Sequence, residues 1–205
     1  MDRRSEIQSL GSQLLEPLLK ESLEKLQQYF TKHRVPILQD FQETIENLRR
    51  KAYQLQLKEQ KDPIKFFSFS YLRRCVYTQK YEVRLDLYNK DFYFDPHKVY
   101  GYWDIQFLFR FFQMDMENFK EHIGNYYRPT GLPLREYEIK EFALWYIRHY
   151  YKIAEKFFRD QIPTIVKNEG FHLLKQTDRV QFLYGGYMEE QRVLLQMENK
   201  ESGTE

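Results

Sequence analysis

The sequence predicts an α+β protein that is predominantly α-helical and rich in aromatic side chains. Apolar residues recur at helical spacing in the first 60 residues and again after Gly101, whereas apolar and polar residues alternate within residues 67–71 and 82–87. Hydrophobic residues make up 42% of the 205 positions and charged residues 30%, a balance typical of a chain with a packed core. We therefore expect an N-terminal helical hairpin, a small antiparallel sheet and an aromatic-rich helical body.

The N-terminal segment predicts two amphipathic helices joined by a turn. Apolar residues spaced three and four apart form one stripe before Pro36 and another after it: Leu15, Leu19, Leu23, Leu26 and Phe30, then Leu38, Phe41, Ile45, Leu48, Ala52 and Leu55. Proline can open a helix but lacks the amide hydrogen that a helix interior requires. We predict an antiparallel hairpin that turns at residues 32–35, and the periodicity leaves open whether it packs on its own body or on a second copy.

Two stretches with period-two alternation predict β-strands. Residues 67–71 alternate aromatic rings with serines, and residues 82–87 alternate aliphatic with charged side chains. A turn at residues 89–91 leads to a third short candidate, residues 92–94, which ends before Pro96. The expectation is an antiparallel sheet of two or three strands.

Helical spacing returns after Gly101 and predicts the body of the protein. Apolar stripes over residues 105–123 and 139–157 each indicate a long helix, with a strand over residues 106–112 as the competing interpretation of the first. A last helix is predicted over residues 177–197, where two adjacent glycines would allow close helix packing. Of the 17 Tyr, 17 Phe and 2 Trp, 28 residues fall between positions 64 and 158, so the aromatic excess belongs to the predicted body.

The composition changes along the chain and predicts a division into parts. Residues 1–61 form the helical arm, residues 62–198 a compact α+β body, and residues 199–205 a disordered tail of small and charged residues.

Charge and cysteine content exclude several classes of protein. Lys and Arg number 32 against 30 Asp and Glu, so the net charge of +2 argues against a uniformly basic nucleic-acid coat. Cys75 is the single cysteine, which excludes an intramolecular disulfide and a thiolate-rich metal site. The first residues lack an apolar signal core and no run reaches the length of a membrane span, so we expect a cytoplasmic protein without a membrane anchor.

Standard catalytic and cofactor-binding motifs are absent from the sequence. It contains no phosphate-binding glycine loop, no nucleophile elbow and no paired-histidine metal motif, which indicates a non-catalytic protein that needs no cofactor. One polar group provides the alternative of a small-molecule or metal-dependent site. Asp95, His97 and Asp104 follow the predicted sheet closely and have the side chains that bind a hard or borderline cation.

A basic segment predicts an anion-binding surface. Residues 49–84 contain ten basic side chains against three acidic ones, with tyrosines between them. Cations interleaved with aromatic rings are what contact with phosphates and stacking with bases require. The residues expected to bind an anion are Arg49, Arg50, Arg73, Arg74, Lys80 and Arg84.

Adjacent tyrosines predict an interaction surface, because neighbouring residues of a helix cannot all face one core. Tyr126, Tyr127 and Tyr151 are the candidates, since an apolar ring with a polar tip is favoured at interfaces. The leading hypothesis is a non-catalytic cytoplasmic interaction module that binds a protein partner or forms a homo-oligomer through an aromatic-rich surface. The alternatives are nucleic-acid or polyanion binding through residues 49–84 and the small-molecule or metal-dependent site.

Overall fold

The computed structural model describes residues 2–130 and 132–199. Asn199, the first residue of the predicted tail, donates its backbone N–H to the carbonyl of Asp178 at 2.8 Å. The rest of that predicted tail, residues 200–205, lies outside the described residues.

The α+β class is confirmed, because helices and one five-stranded sheet make up the described chain. The helices are α1 (Arg3–Leu57), α2 (Cys75–Thr78), α3 (Gln106–Tyr127), α4 (Glu136–Lys167) and α5 (Glu169–His172), with short 3-10 helices at Phe92–Phe94 and Arg128–Thr130. The strands are β1 (Ile64–Tyr71), β2 (Glu82–Tyr88), β3 (Val99–Asp104), β4 (Gln176–Gly186) and β5 (Gln191–Glu198). Within the part of the chain that is described, no helix is long and apolar enough to cross a membrane.

The sheet is larger than the two or three strands that the sequence predicts. Its order is β3-β2-β1-β4-β5, with β1 and β4 parallel and the other neighbours antiparallel. The predicted helix over residues 177–197 is wrong: this segment is the β4–β5 hairpin. The buried side chains of Val180, Phe182 and Tyr184 alternate along β4, as expected for a strand with one face in the core.

The predicted third strand at residues 92–94 is also wrong. Phe92 has φ of 54°, a left-handed conformation that a strand residue does not adopt, and residues 92–94 form a 3-10 turn. The ring of Phe92 packs on Phe66 and Tyr88, so contacts with aromatic rings of the sheet stabilise this turn. The third antiparallel strand is β3, which pairs with β2 from Val99 to Asp104.

The predicted hairpin turn at residues 32–35 is replaced by a kink within α1. Among these helical residues only His33 departs from helical dihedral angles, with φ of −111° and ψ of 18°. Pro36 lies three residues later, and its ring and missing amide disrupt the preceding turn.

The described chain divides into two compact units. The first contains the described residues of Met1–Arg34, Arg73–Tyr81 and Ile105–Ile153, and the second contains those of Val35–Leu72, Glu82–Asp104 and Ala154–Glu205. The boundary between an arm and a body at residues 61 and 62 stays a prediction.

The first unit is organised around a buried carboxylate. Asp115 accepts hydrogen bonds from the hydroxyls of Ser22, Tyr146 and Tyr150 at 2.6–2.7 Å. Burial raises the pKa of Asp115, and the three hydroxyl donors counteract this rise. Around this group the rings of Phe119 and Phe142 stack with centroids 3.9 Å apart, so the unit combines an aromatic core with a satisfied polar centre.

In the second unit, helices cover one face of the sheet. Phe41 from α1 contacts Trp103 of β3 with ring centroids 4.7 Å apart, and Phe158 from α4 stacks on Phe69 of β1 at the same distance. The two-residue period of the strands places the intervening side chains on the opposite face. That opposite face carries the polar residues described below.

Candidate functional site

The face of the sheet opposite Phe41 and Phe158 contains a cluster of polar and aromatic side chains, which we call the polar face. Strand register aligns its members in cross-strand rows: Tyr102, Arg84, Ser70, Gly185 and Gln191 in one row, and Tyr100, Asp86, Ser68, Leu183 and Val193 in the next. Charged residues in the middle of a sheet are unusual and require partners.

Arg84 and Asp86 form an ion pair at the centre of the polar face. Three hydrogen bonds of 2.8–3.0 Å join the guanidinium to the carboxylate, and the two side chains are 10% and 0% exposed. The guanidinium lies between two rings, 4.0 Å from the centroid of Tyr100 and 4.4 Å from that of Tyr187. This geometry combines a bidentate ion pair with two cation–π contacts.

Burial and pairing act in opposite directions on this ion pair. Burial raises the pKa of Asp86, and its contact with Arg84 counteracts that rise. Burial would lower the pKa of Arg84, but the bonds to Asp86 outweigh it and raise that pKa above its usual range. Arg84 is therefore a fixed positive charge, as in interface hot spots and structural ion pairs.

A hydroxyl and amide network lies beside the ion pair. Ser68 donates its hydroxyl to Oε1 of Gln191 at 2.8 Å, and Nε2 of Gln191 donates to Ser70 Oγ at 2.8 Å and to the hydroxyl of Tyr93 at 3.4 Å. Gly185 lies between Ser70 and Gln191 in the cross-strand row, so the missing side chain leaves room for the amide to reach across. Both serine hydroxyls are bonded to the side-chain amide of Gln191, which holds them in place on the polar face.

Large apolar side chains remain exposed around this centre. Tyr100 and Tyr102 on β3 are 44% and 43% exposed, with ring centroids 6.0 Å apart in an edge-to-face arrangement. Phe94 and Met188 are 89% and 65% exposed. Tyr, Phe, Met and Arg are enriched in protein interfaces, so this composition is typical of a surface that binds another protein.

Comparison with known proteins adds no relative. No family model, curated protein or solved structure matches this chain.

The six predicted anion-binding residues fall in different places. Arg73, Arg74 and Lys80 belong to the first unit, where each interacts with neighbouring groups. In the second unit Arg49 and Arg50 pair with Glu46. Arg84 lies on the polar face, whereas Arg49 lies over the helix-covered face of the sheet, so the fold does not bring these two cations together.

The three predicted metal ligands are not brought together. The buried carboxylate of Asp95 binds Nζ of Lys61 and accepts the backbone N–H groups of Asn89 and His97 at 2.9–3.0 Å. The His97 side chain is exposed, and Asp104 lies at the far end of β3. In residues 2–130 and 132–199, no group of three or more His, Cys, Asp or Glu side chains could hold a metal ion.

Two of the three predicted interface tyrosines are buried. Tyr127 is 4% exposed and Tyr151 8%, and the hydroxyl of Tyr151 lies 3.4 Å from Sγ of Cys75. Tyr126 alone is exposed, at 53%. Adjacent tyrosines can both be accommodated here because Tyr150 and Tyr151 each contact the ring of Phe109 in the same core.

The outer edge of β3 has features that the sequence does not predict. A groove between this strand and α1 is lined by the cations Arg50, Lys51, Lys58 and Lys98. Acidic side chains lie at the other end of the strand, where Asp104 ends β3 and the carboxylate of Asp40 accepts the indole N–H of Trp103 at 2.7 Å. The seven-residue spacing of Lys51 and Lys58 is visible in the sequence, but its meaning depends on knowing that β3 is the neighbouring edge strand.

Proposed function

We propose that this chain is a non-catalytic cytoplasmic protein-interaction module that associates with a second copy of itself through β3. The observation that carries the proposal is an edge strand with two exposed tyrosines between opposite charges. Lys98 precedes the strand and Asp104 ends it. Such a segment is complementary to itself when two copies run antiparallel.

The β3 edge lacks the features that normally prevent strands from pairing. Residues 99–103 contain neither a charge nor a proline. The other edge strand, β5, has a register shift opposite Phe182 and Leu183 and carries the charged Arg192. Bulges and charges are common ways to block edge pairing, so β3 is the better candidate for contact with another copy.

The hydrogen-bond pattern supports one register of pairing. The amide of Ile105 donates to the carbonyl of Tyr81, and these residues continue the β2–β3 ladder. Alternate residues in an antiparallel ladder bond inward, so Tyr100 and Tyr102 direct their backbone groups away from β2. When Gly101 lies on the two-fold axis, Tyr100 of one copy is opposite Tyr102 of the other. The backbone N–H and C=O groups of both residues point away from β2 and can therefore bond to the second copy.

Charge complementarity favours the same register. With Gly101 on the axis, Lys98 of each copy lies opposite Asp104 of the other. Leu48 of α1 packs against Gly101 and therefore marks the position of the two-fold axis along the helix. Lys51 and Lys58 lie on its C-terminal side, and Asp40, which binds Trp103, lies on its N-terminal side. The two copies of α1 then run antiparallel, with basic ends facing acidic ends.

A charge-swap experiment tests this association. We expect the wild type to sediment as a concentration-dependent dimer, and Lys98→Asp or Asp104→Lys to weaken it about tenfold. Two symmetry-related cross-strand pairs of about 0.5–1 kcal/mol each give roughly that factor. The double variant, Lys98→Asp with Asp104→Lys, restores the pairing, and Arg192→Asp on β5 is the control with an equal charge change at the other edge.

The outcomes separate the proposal from its alternatives. A monomer at all accessible concentrations overturns it, as does a dimer that both single variants leave unchanged. A monomer whose basic groove retains RNA in a salt-dependent manner would instead favour polyanion binding through residues 49–84. A monomer that binds an acidic extended peptide on β3 would identify a different partner for the same edge.

A further inference from the structure

A cavity of about 110 Å³ lies within the second unit, on the helix-covered side of the sheet. Its inner wall is apolar and is formed by Leu48 from α1, Phe67 and Leu87 from the sheet, and Phe171 and Leu174 near α5. Each of these side chains is at most 5% exposed. The interior of the cavity is therefore apolar.

The mouth of the cavity is polar. Gln42, Thr164 and Asn168 are exposed residues of its lining, and Glu46 and Arg49 complete the rim. Nε of Arg49 donates to Glu46 at 2.7 Å, so the two charges of the lining balance each other. Arg50, the second partner of Glu46, lies outside the lining. Oδ1 of Asn168 accepts the backbone N–H of Gly170 at 2.8 Å, which leaves its amide nitrogen as the group available to a ligand.

The size of the space is informative because protein interiors are normally close-packed. Natural cores contain few voids larger than a water molecule. An apolar cavity of about 150 Å³ takes up benzene without any designed contact. The cavity in this protein is somewhat smaller and opens at a polar rim. It has room for one ring or a chain of about six carbons, and the polar head group of such a ligand would lie at the mouth.

We propose that this cavity is a binding site for a small neutral molecule with one apolar ring or short chain and one hydrogen-bonding group. The apolar part lies against Phe67, Leu87 and Leu174, and the polar group faces Thr164 and Asn168. A neutral head group fits because Glu46 and Arg49 already neutralise each other. A carboxylate at the same position would lie beside the carboxylate of Glu46. This site is separate from the β3 edge and does not depend on self-association.

Ligand titration followed by NMR tests the site with three defined probes. We expect phenol to bind saturably, benzene to bind more weakly because it lacks the hydroxyl, and benzoate to bind most weakly because of its charge. The shifted resonances should belong to the lining residues Phe67, Phe171 and Leu174. The absence of saturable phenol binding, or stronger binding of benzoate than of phenol, overturns the proposal.

A matched pair of variants locates the binding. Leu174→Phe fills the cavity, whereas Leu173→Phe makes the same change at a neighbouring residue that is 58% exposed and outside the lining. We expect Leu174→Phe to lose at least tenfold in phenol affinity and Leu173→Phe to stay within twofold. Ile45→Phe, which fills the cavity from α1, repeats the test should Leu174→Phe fail to fold. Equal affinities in a folded filling variant and the control overturn the assignment.

Discussion

The ion pair of Arg84 and Asp86 gives the sharpest prediction about stability. Arg84→Met removes the guanidinium and leaves the fully buried carboxylate of Asp86 without its three hydrogen bonds. Breaking a buried pair by deleting one partner costs about 3–5 kcal/mol, because the remaining charge is uncompensated. Arg84 is 10% exposed, so we expect a loss near the lower end, about 3 kcal/mol in the free energy of unfolding.

The pH dependence of this loss follows from the carboxylate. Burial already raises the pKa of Asp86, and removing Arg84 raises it further. A carboxyl whose pKa is raised on folding is most stabilising below its unfolded value of about 3.9, and that contribution disappears as the pH rises through the folded pKa. The deficit of Arg84→Met should therefore be smaller at acidic pH than at neutral pH.

Urea unfolding monitored by circular dichroism measures these effects. The double variant, Arg84→Met with Asp86→Leu, is expected to recover most of the stability, because an apolar pair can replace a buried ion pair at little cost. Two results would refute this reasoning. One is a loss of less than about 1 kcal/mol in the free energy of unfolding of Arg84→Met at neutral pH, and the other is a double variant that is no more stable than Arg84→Met. Either result would mean that the pair is not a buried interaction.

Two further predictions concern glycine positions and alkaline pH. A Cβ at Gly185 would lie 2.6 Å from the backbone oxygen of Glu190, so Gly185→Ala should lose about 1–3 kcal/mol in urea unfolding. Nothing lies within 4 Å of a Cβ at Gly124 in α3, so Gly124→Ala should raise the free energy of unfolding by roughly 0.5–1 kcal/mol. Equal effects of the two variants would contradict this geometry. Burial raises the pKa of Tyr81 and of Tyr127 to about 12. Because unfolded tyrosines ionise near pH 10, the free energy of unfolding should fall between about pH 10 and pH 12. Substitution of either tyrosine by phenylalanine should make this fall smaller. Tyrosinate absorbance that appears near pH 10 for both residues would disprove this prediction.

The sequence predicted the elements in which local periodicity reflects burial of one face. The α+β class and the strands near residues 67–71 and 82–87 follow from apolar spacing that these segments retain in the fold. The interpretation of residues 177–197 as a helix failed because β4 pairs with β1, more than a hundred residues earlier in the chain. Pairing between distant strands leaves only a weak local pattern in the sequence. Gly185 and Gly186 were compatible both with close packing of two helices and with the end of a strand.

The candidate sites were less predictable because they depend on which face or edge each residue occupies. The sequence placed Arg49 and Arg84 in one basic segment, but the sheet separates them by its two faces. It also grouped Asp95 with His97 and Asp104, whereas Lys61 is the actual partner of Asp95. Residue types at close spacing identify candidates, but a side chain that is nearby in sequence can point in the opposite direction.

By itself, the sequence determined the class of fold, the helical character of residues 3–57, 106–123 and 139–157, and the concentration of aromatic residues in the middle of the chain. Only the tertiary structure decided that β3 is an edge, that Tyr100 and Tyr102 are exposed, and that Arg84 is buried against Asp86. The physical reason is the range of the interactions. Helical and strand periodicity are properties of neighbouring residues, whereas edges, register and burial depend on contacts between segments far apart in the chain.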